Sequence, residues 1–124
     1  MRTVIQNQRF SDHKVVFDAD SALVLDSTFT GCSMEGATLT DAIIVRCQFS
    51  DVSLYWGHMF RTVFLECSFA DVDFRGANME QCIFVRCTLT RCDFSRDNLG
   101  GETDLTTVSF ADSQQVDCKH DHAA

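Results

Sequence analysis

Every fifth residue from position 24 to position 99 is large and apolar: Val24, Phe29, Met34, Leu39, Ile44, Phe49, Leu54, Met59, Phe64, Phe69, Phe74, Met79, Phe84, Leu89, Phe94 and Leu99. At an overall apolar content of 45%, such a run arises by chance on the order of once in several hundred thousand trials. Two residues before each centre lies a second series: Ala22, Ser27, Cys32, Ala37, Ala42, Cys47, Val52, Gly57, Thr62, Cys67, Val72, Ala77, Cys82, Cys87, Cys92 and Asp97. All but Asp97 are small or medium and uncharged. Five steps around an α-helix turn a side chain by about 140°, and five along a flat strand flip it to the opposite face. A straight element therefore cannot keep both series inside. A chain that turns by about 90° at each pentad can, and four pentads then close a square coil of about 20 residues in which residues one coil apart stack.

This phase predicts coils at 22–41, 42–61, 62–81 and 82–101, with a partial fifth from 103 to 120. One extra residue near Gly100-Gly101 carries the phase to Leu105 and Phe110. At about 4.8 Å between hydrogen-bonded strands the rod is about 20–25 Å tall. Its core is expected to be columns such as Phe29/Phe49/Phe69/Leu89 and Leu54/Phe74/Phe94. Residues 1–21 fall outside the phase and are expected to cap the first coil, because an open β end exposes unpaired backbone. The repeats then span 22–118, and 119–124 form a disordered polar tail. Asp97, in an inward small position, marks where the regular coil begins to distort.

The stretches Cys-Ser-Phe69-Ala-Asp, Val-Asp-Phe74-Arg-Gly, Ala-Asn-Met79-Glu-Gln and Cys-Asp-Phe94-Ser-Arg resemble the pentapeptide-repeat family. The resemblance covers 22–101 without a break and implies that family's all-β fold, a right-handed quadrilateral parallel β-helix. Asp or Asn before the centre, frequent in the family, is uncommon here.

Composition then acquires a meaning. The chain has 7 cysteines, 11 phenylalanines and no proline, and proline has little place in a coil whose ladder needs every N–H. Cys32, Cys47, Cys67, Cys82, Cys87 and Cys92 occupy the small inward position, as does Cys118 after the phase shift. Cys47, Cys67 and Cys87 stack at a separation that permits a disulfide in principle. The plainer expectation is free thiols acting as small buried hydrophobes. Thiols spread around a coil do not converge on a metal, and the run Cys118-Lys-His120-Asp-His122 lies in the tail and lacks a fourth obvious ligand. No cofactor is expected. No histidine makes a persuasive pair with a cysteine or serine and no phosphate loop is visible, so the chain is expected not to be an enzyme.

The 18 acidic and 10 basic residues leave a net charge of −8, which works against binding to nucleic acid or an anionic membrane. No apolar run approaches the roughly 20 residues of a membrane span, and the first ten residues lack a signal-peptide core. A soluble cytoplasmic protein is the expectation.

Function is then expected on the outward positions. Three faces are mostly polar, whereas the fourth carries Leu23, Leu25, Ile43, Val45, Val63, Leu65, Ile83 and Val85, all aliphatic. A contiguous patch of this kind marks a binding surface. It suits a homodimer packed sheet on sheet, cover by the N-terminal Val4, Ile5, Phe10, Val15, Val16 and Phe17, or a different protein partner. At its corner Asp26, Arg46, Glu66 and Arg86 alternate in sign. A second outward patch, Tyr55, Trp56 and Phe60, has Gly36 below and Gly76 above the tryptophan; it is either a cover over bare backbone or a partner hot spot. The expected function is a non-catalytic interaction or scaffold module. The family resemblance implies an alternative, an acidic DNA mimic that modulates DNA gyrase or a related topoisomerase, as in quinolone-resistance members. Against it stand Arg61, Arg75, Arg86, Arg91 and Arg96, the short rod and the lack of a projecting loop.

Overall fold

The computed structural model describes residues 3–11, 18–97, 99–101 and 103–120. Among them the regular elements are all short strands. β1 (Val4–Gln6) and β2 (Arg9–Phe10) come first, followed by one pair per coil: β3 (Leu23–Leu25) and β4 (Thr28–Thr30), β5 (Ile43–Val45) and β6 (Gln48–Ser50), β7 (Val63–Leu65) and β8 (Ser68–Ala70), β9 (Ile83–Val85) and β10 (Thr88–Thr90). β11 (Asp93–Phe94), β12 (Ser109–Ala111), β13 (Gln114–Val116) and β14 (Lys119–His120) complete the set. Twelve of them stack in parallel into two sheets on adjoining sides of the coil, β1-β3-β5-β7-β9-β12 and β2-β4-β6-β8-β10-β13, and β11 and β14 pair in parallel on a third side. The other two sides are ladders of single bridges, Ser33–Ser53–Asp73–Asp93 and Asp18–Thr38–His58–Asn78. The result is a four-sided parallel β-helix.

Each pentad turns through one residue in the left-handed backbone region. Every fifth position from Ser21 to Arg91 has φ between 50° and 71°, and apart from Gly31, Gly36 and Gly76 all carry a side chain, at a cost of about 1–2 kcal/mol each. The ladder between coils holds these corners: Asp26 N–H donates to Val45 O at 3.0 Å, Arg46 N–H to Leu65 O at 2.8 Å and Glu66 N–H to Val85 O at 2.8 Å. On the bridge sides a second bond tightens the turn, as from Ala37 N–H to Met34 O at 3.0 Å and from Ala77 N–H to Phe74 O at 3.1 Å. With positive φ at its third residue, this is a type II turn.

The inward centres form the expected columns. Phe29 and Phe49 stack at 4.7 Å, Phe49 and Phe69 at 4.9 Å, Phe64 and Phe84 at 4.8 Å, and Phe74 and Phe94 at 4.8 Å. Edge contacts tie the columns together, as between Phe64 and Phe69 at 5.2 Å. The small inward series does more than fill space. Thr62 Oγ1 donates to Leu39 O at 2.6 Å, Cys67 Sγ to Ile44 O at 3.4 Å and Cys87 Sγ to Phe64 O at 3.3 Å, each reaching a carbonyl of the coil below. Among the described residues no buried side-chain nitrogen or oxygen lacks a partner.

Both ends differ from expectation. Residues 4–10, expected within a cap, form two strands of a further partial coil: Ile5 sits under Val24 and Phe10 under Phe29, at a register of 19 rather than 20 residues. Phe10 stacks on Phe29 at 4.7 Å. At the other end the insertion is six residues, not one, because Phe110 lies over Phe84 and Gln115 over Leu89. The extra residue brings a whole additional pentad with it, so the phase is kept but every later residue stands one side back from its expected place. Thr103 fills the position expected of Asp97, accepting from Gly76 N–H at 2.8 Å and donating to Phe74 O at 3.0 Å. Lys119 and His120, expected in a disordered tail, are strand β14, while 121–124 lie outside the described residues. The inward centres of this last coil turn polar at Gln115 and His120. The His120 ring stacks on Phe94 at 5.2 Å and its Nε2 lies 2.9 Å from Gln115 Oε1.

Phe69 stacks on Phe49 below, lies under Leu89, and meets Phe64 and Phe84 edge-on. Phe69→Ala is therefore expected to destabilise the fold by about 3–5 kcal/mol, read as a lowered midpoint in urea unfolding, with Leu99→Ala at an 81% exposed side chain as the neutral comparison.

Candidate functional site

The first sheet gathers the eight aliphatic residues on its outer surface. Parallel register aligns them in two columns, Leu23-Ile43-Val63-Ile83 and Leu25-Val45-Leu65-Val85. They are half-buried by one another, apart from the more open Ile83 at 39%. β1 adds Val4, 54% exposed, and Gln6 below, while β12 adds Ser109 and Ala111 above. Val4 thus enlarges the face as its edge strand, and Ile5 and Phe10 point into the core. These three do not fold over the face; Val15, Val16 and Phe17 lie outside the described residues.

The corners that border this sheet are lined with ion pairs between successive coils. Arg46 Nε lies 2.8 Å from Asp26, Arg61 Nε 2.7 Å from Asp41, and Arg86 Nη2 3.8 Å from Glu66. The Arg46 guanidinium holds the Asp26 carboxyl below the usual range. All are solvent-exposed, so each pair contributes only modestly to stability.

The aromatic patch is rearranged relative to expectation. Trp56 remains open at 46%, but Tyr55 is buried at 9%. The Tyr55 ring lies edge-on to Trp56 at 4.9 Å with the Arg75 guanidinium 5.2 Å from its centroid, and Arg75 is itself fixed to Asp73 at 2.9 Å. Phe60 is half-buried with Arg61 over its ring at 4.2 Å. The indole crosses Gly76, where any Cβ would run into it, and its N–H donates to Asp97 Oδ2 at 2.6 Å. Asp97 also accepts from Leu99 N–H at 2.9 Å and Gly101 N–H at 2.6 Å, so it organises the inserted loop. The indole N–H, then the loop amides, hold its carboxyl below the usual range. Sequence reasoning missed the roles of Asp97 and Arg75. Arg75 follows Tyr55 by one coil and was readable as its cover, whereas Asp97 needed the true length of the insertion. Two shallow depressions flank the indole, one of about 420 Å³ lined by Trp56, Gly57, His58, Gly76 and Asn78 and one of about 300 Å³ lined by Glu35, Tyr55, Trp56 and Leu99.

All seven cysteines are free thiols, six of them buried. Among the described residues no three His, Cys, Asp or Glu side chains are placed to hold a metal, and no helix is long and apolar enough to cross a membrane. Cys67 is pushed up by its hydrogen-bonded neighbours Cys47 and Cys87 and by burial. Burial alone dominates at Cys82 and Cys92, pushed up to about 12. An unfolded thiol ionises near about 8.5, so the folded state keeps these two protonated where the unfolded chain would release their protons. That contribution is full below about pH 8.5 and is lost as pH rises towards 12. The urea midpoint is expected to fall across this window, and to fall less steeply in a Cys82→Ser/Cys92→Ser variant.

Comparison with curated proteins gives no match. Among solved structures, a trypsin-treated variant of QnrB1, a plasmid-mediated fluoroquinolone resistance protein, is similar with TM-score 0.56 and 15% identity over 93% of this chain and 74% of that one. Rfr23, a pentapeptide repeat protein from the cyanobacterium Cyanothece 51142, is similar with TM-score 0.51 and 12% identity over 97% of this chain and 86% of that one. At those identities the likeness is one of fold. The family model for the pentapeptide repeat region matches residues 22–103, and with the left-handed corners and inward ladders described above, the chain belongs to the pentapeptide-repeat family.

Proposed function

We propose that this protein is a non-catalytic interaction module that works as a homodimer through the outer surface of its first sheet. The observation that carries the proposal is the unbroken aliphatic surface on β3, β5, β7 and β9, extended by Val4 and Ala111 at its two ends. A sheet face that meets water along a soluble rod is ordinarily polar, as the Thr28, Thr30, Gln48, Ser50, Thr88 and Thr90 surface of the second sheet is. Covering the aliphatic columns removes apolar area from water, and a flat self-complementary face allows a two-fold contact without rearrangement. The inward thiols are engaged with backbone carbonyls, which supports a structural rather than catalytic role for them. Sedimentation equilibrium of the wild type is expected to give a dimer mass. Leu65→Arg, at the middle of the face, is expected to give a folded monomer; a wild type that is monomeric at tens of micromolar would sink the proposal.

The charge distribution favours a second reading, the acidic DNA mimic. Arg46, Arg61, Arg75, Arg86 and Arg91 are each paired with an acid on the rod. The excess negative charge is left on other residues, including Asp18, Asp20, Glu80 and Asp104 on the second bridge side. This surface supports docking in a site that otherwise holds a phosphate backbone. On this reading micromolar protein inhibits DNA gyrase supercoiling or protects it from a quinolone; an unchanged supercoiling gel with and without drug removes it.

A further inference from the structure

Building on the proposal that the first sheet pairs with a second copy, we propose that the two rods pack with their long axes opposed. The two-fold axis then lies along the strand direction, between β5 and β7. Two identical flat faces can meet about an axis in the plane of contact in two simple ways. With the axis along the rod, each strand meets its own counterpart and the Leu23 column faces the Leu25 column. With the axis along the strands, the stacking order reverses: β3 meets β9 of the second copy, and β5 meets β7. The aliphatic columns do not choose between these, because either arrangement places Leu, Ile and Val against Leu, Ile and Val.

The rims do choose. Along the coils from β3 to β9 one border of the face carries the corner residues Asp26, Arg46, Glu66 and Arg86, continued by Asn7 below and Asp112 above, and the other carries Ser21, Asp41, Arg61 and Gln81. In the opposed arrangement Asp26 meets Arg86 of the second copy, Arg46 meets Glu66, Asp41 meets Arg61, and Ser21 meets Gln81. Every charged corner of the four coils from β3 to β9 finds the opposite sign, symmetry repeats each pairing, and the outlying Asp112 meets the neutral Asn7. In the aligned arrangement Arg46 meets Asp41 and Glu66 meets Arg61, but Asp26 and Arg86 face only Ser21 and Gln81. Sliding the opposed rods by one coil puts Arg46 on Arg46, Asp41 on Asp41 and Asp26 on Glu66. The alternation of sign up each corner therefore selects both direction and register, which is how charge at an interface rim acts.

The rim side chains are placed for this. They are 38–59% exposed, and each arginine lies along the stack beside a carboxylate of its own chain. Across the roughly 10 Å between packed sheets, a guanidinium can keep that partner while offering its remaining N–H groups to the second copy. The corners also accept either residue type, since both Asp and Arg stand at positive φ in this chain.

Charge swapping at Asp41 and Arg61 tests the arrangement apart from the face itself. Arg61→Asp alone and Asp41→Arg alone each replace opposed-rim attractions with repulsions, and each is expected to raise the dimer Kd about tenfold at low salt. The double variant Asp41→Arg/Arg61→Asp restores the in-chain pair and the opposed-rim pair together, so its Kd is expected to return to within about threefold of the wild type. In the aligned arrangement the same double variant sets the new guanidinium of Asp41→Arg against Arg46 and the new carboxylate of Arg61→Asp against Glu66, and it is weaker than either single. Circular dichroism and urea midpoints establish that all three variants are folded. A wild-type dimer whose double variant stays weak overturns the opposed arrangement and leaves the face proposal standing, as do singles with no effect. A monomeric wild type overturns both.

Discussion

Everything in this molecule depends on one backbone constraint: a residue must enter the left-handed region every five positions so that the chain can turn a corner. For most side chains that conformation is unfavourable, and here it recurs from Ser21 to Arg91 with only three glycines among the corners. No single corner would persist alone. Each is held because its N–H donates to the coil above and because the centre and small residue on either side are pinned in the core. The favourable terms are thus shared between neighbouring coils, as in other solenoids. The corner also dictates the surface. A side chain at positive φ projects outward from the edge of the square, so the residues that turn the chain are the same ones that form charged rims and carry the indole.

The same constraint explains the cysteine content. The small inward position must be narrow enough to let the corner close, yet its side chain sits next to a carbonyl of the preceding coil. Ser, Thr and Cys satisfy both demands. Cys does so with the least penalty for burial, being a weak donor with an apolar body. Alanine, found at Ala22, Ala37, Ala42 and Ala77, meets only the first. A column of thiols is therefore a packing solution that also satisfies backbone polarity, and it calls for no redox chemistry.

The regular middle of the rod was legible because its two series repeat with one period, and a periodic signal accumulates over coils. Its ends were not, because each breaks the period once. Ile5 and Phe10 are five apart, as the rule requires, but they stand one residue out of phase with Val24, and a rule tuned to the longer run passes over them. The insertion near Asp97 was visible as a phase shift, but a shift of one and a shift of six leave the same phase. Only the pairing of the later strands, Phe110 over Phe84 and Gln115 over Leu89, tells the two apart. The aliphatic face followed directly from the alternation of inward and outward residues. Tyr55 did not, since its burial comes from Arg75 on the next coil and from the neighbouring indole, contacts between side chains that the pentad rule does not describe.

The inserted loop and Trp56 lie at the corner between the two bridge sides, away from both borders of the first sheet. Whatever covers that sheet leaves this corner open. If two chains join through the sheet, the assembly displays two tryptophan corners at once, each with its depressions and its Asp97-anchored loop. A partner with two matching sites would then gain from effective concentration as well as from contact. Its hold would be set by the spacing between corners, a property of the pair that neither rod has alone.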